Sequence, residues 1–208
     1  MRWLIILIIF MVLIFLGIGF WGYGQFTQPG PLTSEKTVIV PRGVGIERIA
    51  ILLGRHNIIK IPVIFSIAAR TIGKNRVLQA GEFSFSKHIS PRGVLSILQN
   101  GKQVVRRLTI AEGLTNKEIL ELLNETDGLI GKGIMPEGEG ELLPETYYFS
   151  YGDSRNTLIK RMKNKLKKVL ADLWENRASD LPIRSSKEAV ILASIIEKET
   201  GRSAERAR

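Results

Sequence analysis

Trp3 to Tyr23 contains no charged residue and is dominated by Leu, Ile, Val and Phe, with Trp3, Trp21 and Tyr23 at its edges. About 20 such residues suffice for a helix to cross the hydrocarbon core, and terminal aromatics suit the two interfaces. A cleavable signal peptide is the competing reading. It is the weaker one, because the apolar run is longer than an h-region and no A-x-A-like site comes after it. Arg2 and the terminal amine abut one end of the run, whereas the other flank is uncharged until Glu35 and Lys36. The positive-inside bias then predicts a cytoplasmic N-terminus, with everything after Tyr23 on the far side of the membrane.

Beyond this run the chain alternates short elements. Gln25 to Glu35, with Pro29-Gly30-Pro31, reads as a spacer. Thr37–Val40 is strand-like, and Ile46–Arg55 is predicted helical with Ile46, Ile49, Ala50 and Leu53 on one face. Pro62 opens a second helix through Arg70, and Glu82–Ser86 alternates as a strand. Ser90-Pro91 supplies a cap and a first-turn proline for a helix ending near Gly101. Val104–Ile110 is the next strand, and Thr115-Asn116-Lys117-Glu118 is a capping box ahead of a helix with Ile119, Leu122 and Leu123 inward. Asp153-Ser154 starts a long helix to about Asn176, whose core stripe is Leu158, Met162, Leu166, Val169, Leu170 and Leu173. The fold class is therefore α+β. A 1–24 anchor and a 25–36 linker precede a 37–110 module and a second domain over 111–208.

Composition narrows the chemistry. Cysteine is absent, which rules out a disulfide framework and a thiolate metal site. His56 and His88 lie in separate polar contexts and read as surface residues, so no metal site is expected. The net charge of +10 implies attraction to polyanions. Outside a membrane these are lipid headgroups or cell-wall polymers; in a cytoplasm, nucleic acid. The basic residues Lys160, Arg161, Lys163, Lys165, Lys167 and Lys168 make the outside of the long helix either a solvated face or one resting on an acidic surface.

Ala189 to Ile196 is apolar or small all the way round a helix, Ser194 excepted, so burial is predicted. Ser185 with Glu188 reads as its capping box and Gly201 as its stop. Glu197 falls on one face with Val190, Ala193 and Ser194, whose small side chains leave room for a ligand to approach. Apolar neighbours and the negative end of the helix dipole both favour a protonated carboxyl there, as a general acid requires. The same pattern also fits a glutamate that marks where a buried helix meets water. Within the second domain, Gly128–Gly140 is glycine-rich but lacks the Lys-Ser/Thr ending of a phosphate loop. Glu139 to Phe149 crowds acidic, proline and aromatic residues, as a sugar-lining groove does and as a turn before a strand also does.

Several of these segments resemble the YceG-like endolytic murein transglycosylases. They are Glu139-Gly140-x-Leu142-x-Pro144-Glu145-Thr146-Tyr147 and Leu192-Ala193-Ser194-Ile195-Ile196-Glu197-Lys198-Glu199-Thr200. Ala80-Gly81-Glu82-Phe83 and Ala111-Glu112-Gly113-Leu114-Thr115 are similar to that family too. The strand-helix-helix-strand order of the module resembles a LysM-like unit, a small fold that often binds N-acetylhexosamine polymers. The resemblance implies a single transmembrane helix in a bacterial inner membrane, a LysM-like module and the first part of a mixed α/β catalytic domain. Members of the family continue beyond the glutamate motif, and this chain ends at Arg208, so an incomplete catalytic domain is expected.

The catalytic glutamate of the family falls on Glu197, and Glu145, Tyr147 and Ser194 are the expected substrate-binding residues. The implied reaction is a lyase cleavage of the MurNAc-GlcNAc bond in peptidoglycan that leaves a 1,6-anhydromuramyl end, without metal or cofactor. The implied partners are glycan strands, the membrane, and cell-wall synthases or division proteins, with no nucleic acid. A non-catalytic envelope protein that binds glycan or synthesis partners is the alternative. A membrane-tethered nucleic-acid binder, resting on charge alone, is the third reading.

Overall fold

In the computed structural model, which describes residues 2–72 and 77–199, the apolar run forms one unbroken helix, α1 (Arg2–Thr27). It is long and apolar enough to cross a membrane, and its side chains are exposed along nearly its whole length. A span and a signal sequence pass that test equally. The chain then divides into two units, residues 1–104 and 105–208.

In the first unit, β1 (Lys36–Val40) pairs antiparallel with β2 (Gly81–Phe85), Val38 opposite Phe83. Two helices join the strands, α2 (Ile46–Arg55) and α3 (Pro62–Thr71), and α4 (Pro91–Asn100) comes next. The predicted inner face of α2 is the observed one, with Ile49, Ala50 and Leu53 buried. Pro91 sits at the start of α4, and the Ser90 hydroxyl accepts from the Gly93 N–H at 3.2 Å. Proline there sacrifices no helical hydrogen bond, since a first-turn N–H has no partner within the helix. Phe65, Phe83, Phe85, Val94 and Leu98 are fully buried between ribbon and helices, and Phe26 at the end of α1 joins them.

The second unit repeats the economy of a two-stranded ribbon. β3 (Val105–Thr109) pairs antiparallel with β4 (Thr146–Ser150), and α5 (Asn116–Glu125), α6 (Arg155–Glu175) and α7 (Ser186–Glu199) complete it. The capping box at α5 forms as its sequence demands, with Thr115 and Glu118 satisfying each other's backbone N–H groups. Those hydrogen bonds from Thr115 hold the Glu118 carboxyl below its usual range. At the other end of α5, the Arg155 guanidinium donates to the Leu123 and Asn124 carbonyls at 2.7 and 3.1 Å. These belong to the last helical turn, where carbonyls lack intrahelical donors.

Several expectations are corrected here. Asp153-Ser154 does start α6, with Ser154 at the cap position, while the Asp153 carboxylate turns back to accept from the Ser150 N–H at 2.8 Å and closes the turn out of β4. The Ser185–Glu188 box forms by half. The Ser185 hydroxyl accepts from the Glu188 N–H, while the Glu188 carboxylate reaches back one residue further, to the Arg184 N–H. The α6 stripe is core only at its start: Leu158 and Met162 are buried, whereas Leu173 is 65% exposed. The helix α7, predicted to be buried, has no buried residue, and Ile191, Leu192 and Ile195 are about half exposed. Among the described residues it packs against α6 and meets the loops at Gly113 and Gly140. Thr200 and Gly201, with the Glu205–Arg208 end, lie outside the described residues.

Candidate functional site

Within the second unit a cleft of about 850 Å³ opens beside α7, in the size range of ordinary ligand sites. One wall is the α7 face bearing Val190, Ala193, Ser194 and Glu197, residues three or four apart and hence on one stripe. The facing wall is the second half of α6, from Leu166 to Trp174. The turn at Glu112–Thr115 and the loop at Glu139–Pro144 close the remaining sides. The α6 residues Leu166, Val169, Leu170 and Leu173, read as core from the sequence, therefore serve as cleft wall.

Two glycines let the loops approach α7. Gly140 has φ +72°, and a Cβ on it would stand 2.9 Å from Val190 Cγ1. Gly113 has φ +75°, and a Cβ there would lie 3.7 Å from Glu197 Cγ and 3.8 Å from Lys198 Nζ. Left-handed backbone is what a side chain at either position would resist. Gly140→Ala is expected to cost about 1–2 kcal/mol from backbone strain, with a further penalty from the Val190 contact. Chemical denaturation measures the sum, and Val190→Ala in the same chain should return the contact share alone. A neutral Gly140→Ala would show that neither the left-handed turn nor the seating of α7 on it holds at this position.

The loop itself is anchored. Glu139 accepts from the Asn116 N–H at 2.8 Å, placing a carboxylate at the positive end of α5. The Asn116 side chain donates to the Pro136 and Gly138 carbonyls. Glu141 accepts from Lys163 of α6 at 2.6 Å, and that hydrogen bond holds its carboxyl below the usual range. The glycine-rich segment thus acts as a scaffold that links α5, α6 and α7.

Glu197 is half-buried and lines the cleft directly over the Gly113 turn. Ser194, one turn earlier, also lines it, with its hydroxyl donating to the Ile191 carbonyl of its own helix at 2.7 Å. Glu145 and Tyr147 stand elsewhere. Glu145 pairs with Lys165 at 2.5 Å, and neither residue is part of the cleft lining. Tyr147 lies in β4 at 4% exposure, its hydroxyl donating to the Leu143 carbonyl at 2.7 Å. Burial, with the Glu145 charge adding to it, pushes its phenol up to about 12. As placed, Tyr147 is a packing residue that fixes the loop bearing Leu143 and Pro144.

The basic face of α6 is partly consumed by these contacts. Lys163 and Lys165 bind Glu141 and Glu145, and Arg161 donates to the Tyr148 carbonyl. An open acidic-polymer surface would need those cations unengaged. Among the described residues, no group of three or more His, Cys, Asp and Glu is arranged to hold a metal.

Trp174 is a lining residue that sequence reasoning missed, as are Arg177, Leu181 and Ile183. The Arg177 guanidinium stacks 4.1 Å from its ring centroid and donates to its carbonyl. The signal was present, since Trp174 lies four residues after Leu170 and extends the stripe. Leu181 and Ile183, in the connection to α7, also line the cleft, and Glu112, Glu139, Arg177, Glu197, Lys198 and Glu199 give it its charge.

The sequence model of the YceG-like family matches residues 38–208. The crystal structure of a yceG-like protein from Listeria monocytogenes is 24% identical, aligned over 84% of this chain, with a TM-score of 0.39. The chain spans 66% of the length of that relative. No curated protein matches it.

Proposed function

The chain belongs to the YceG-like family, and from that premise we propose that it is a membrane-anchored endolytic murein transglycosylase with Glu197 as its acid and base. One observation carries the reading: Glu197 sits on the small-residue face of α7 and lines a cleft whose walls combine apolar side chains with charged groups.

The chemistry suits a single carboxylate. Ordinary glycosidases use two, one to protonate the leaving oxygen and one as nucleophile or base. In the proposed cycle Glu197 donates its proton to the oxygen bridging N-acetylmuramic acid to N-acetylglucosamine, and the bond from that oxygen to muramyl C1 breaks. The muramyl C6 hydroxyl then attacks C1, and the ionised Glu197 takes its proton. The carboxyl ends as it began, water is not consumed, and the cleaved strand carries a 1,6-anhydro ring. Ala193 and the turn at Gly113 leave space beside the carboxyl, and Trp174 supplies an apolar surface for a sugar face.

The β1-α2-α3-β2 order supports a LysM-like reading of the module, whose 37–110 bounds overrun the first unit, since β3 pairs with β4 in the second. Residues 111–208 are then part of the catalytic domain, and α1 is its anchor. Intact peptidoglycan incubated with the full-length protein should release strands with anhydro ends, and water-derived reducing ends in their place would overturn the mechanism. Orientation is tested separately. In spheroplasts, protease added outside should digest the region after Tyr23, and protection of that region would reverse the assigned topology.

A further inference from the structure

Two helices of the first unit pack against α1, and they differ in what they leave exposed. On α4 the exposed positions are Arg92, Ser96 and Asn100, all polar. On α3 they include Val63 and Ile67, 64% and 57% exposed, four residues apart and so on one stripe. Ile72, just beyond the helix, is 63% exposed. We propose that this outer face of α3 lies in the headgroup layer of the membrane that α1 enters, as a second and interfacial contact. The proposal rests on reading α1 as a span.

The depth is set by helix geometry. The helix α1 continues past Tyr23, where its apolar run ends, to Thr27. At 1.5 Å per residue, Phe26 stands about 5 Å beyond Tyr23. Phe26 is 3% exposed and packed in the core of the unit. That core therefore begins about one helical turn beyond the hydrocarbon edge, leaving no room for a flexible stalk. Interfacial helices sit with their apolar side at about that level. The flanking charges agree: Arg55 at the end of α2 and Lys60 in the connection to α3 are exposed cations suited to anionic headgroups. Arg70, on the same stripe as Val63, is ion-paired with Glu47 of α2, which locks the two helices together. Ile51, one turn on from Glu47, is 48% exposed and extends the apolar surface onto α2.

The chain has no cysteine, so single labels can be placed cleanly. Val63→Cys, Ile67→Cys, Ser96→Cys and Val12→Cys in the full-length protein would each carry an environment-sensitive fluorophore. Val63, Ile67 and Ser96 are exposed, so the labels leave the core intact. The proteins are reconstituted into phosphatidylcholine–phosphatidylglycerol vesicles containing doxyl-labelled lipid. Positions 12, 63 and 67 should be blue-shifted and quenched, and position 96 should stay aqueous. Quenching at 12 with 63 and 67 as aqueous as 96 overturns the interfacial contact and leaves the span standing. Equal quenching at 63, 67 and 96 also overturns it, since no face would then be preferred. An unquenched position 12 removes the span and the proposal with it.

Discussion

Glu197→Gln is expected to cut release of anhydro-ended strands from intact peptidoglycan by roughly 10²–10⁴-fold, the usual contribution of a general acid. Glutamine keeps the size of the side chain and its capacity to accept and donate hydrogen bonds. It cannot hand a proton to a leaving oxygen or receive one from a hydroxyl, and the proposed cycle needs both. The residue lies in the last turn of α7 over the Gly113 turn and is not part of a core cluster, so folding should be unchanged by circular dichroism. Ser194→Ala is the matched comparison. Its hydroxyl donates to the Ile191 carbonyl and can still accept from a sugar, so its removal should raise KM more than it lowers kcat and cost less than Glu197→Gln. Full activity in Glu197→Gln would exclude this carboxylate as the acid. Equal losses in both variants would point to a disturbed helix rather than lost proton transfer.

The second large effect is on stability. Phe83→Ala should destabilise the first unit by about 3–5 kcal/mol, the range for deleting a buried aromatic ring. Phe83 is fully buried in β2, and its cross-strand partner Val38 is 3% exposed. Ribbon and helices meet over this pair, so the vacated space cannot be filled by shifting one side chain. Native-state amide exchange in β1 and β2 would read the loss, as would a fall in unfolding midpoint of more than about 10 °C. Phe83→Leu, which retains much of the volume, should recover most of it. A loss below about 1 kcal/mol for Phe83→Ala would mean that the ring is not the centre of that core. Phe83 closes the Ala80-Gly81-Glu82-Phe83 segment, one of those that resemble the family, and its burial gives the match a packing reason.

Local signals were legible where one residue's chemistry decides the outcome. Ser90-Pro91 and Thr115 through Glu118 start their helices as read, because a cap bonds within its own first turn. The inward faces of α2 and α5 came from spacing alone. Tyr147 was harder. An aromatic beside carboxylates suits a sugar groove, but pairing of β4 with β3 turned it into the core and gave its hydroxyl to Leu143. The lysines of α6 stay exposed as read, but spacing did not show that the 141–148 segment would meet Arg161, Lys163 and Lys165. Leu166 to Leu173 carried a correct helical period with an ambiguous destination, since an apolar stripe can face a core or a cleft.

The order of residues by itself determined an apolar helix long enough for a membrane, the placing of the short elements, the family, and Glu197 on the small-residue face of its helix. These depend on period, on caps and on composition, which act over a few residues. Tertiary structure decided which apolar stripe became wall rather than core, which carboxylates met lysines, and that Gly113 and Gly140 would bring two loops up to α7. Such outcomes depend on contacts between residues tens of positions apart, whose formation depends on the fold as a whole and leaves no periodic trace along the chain.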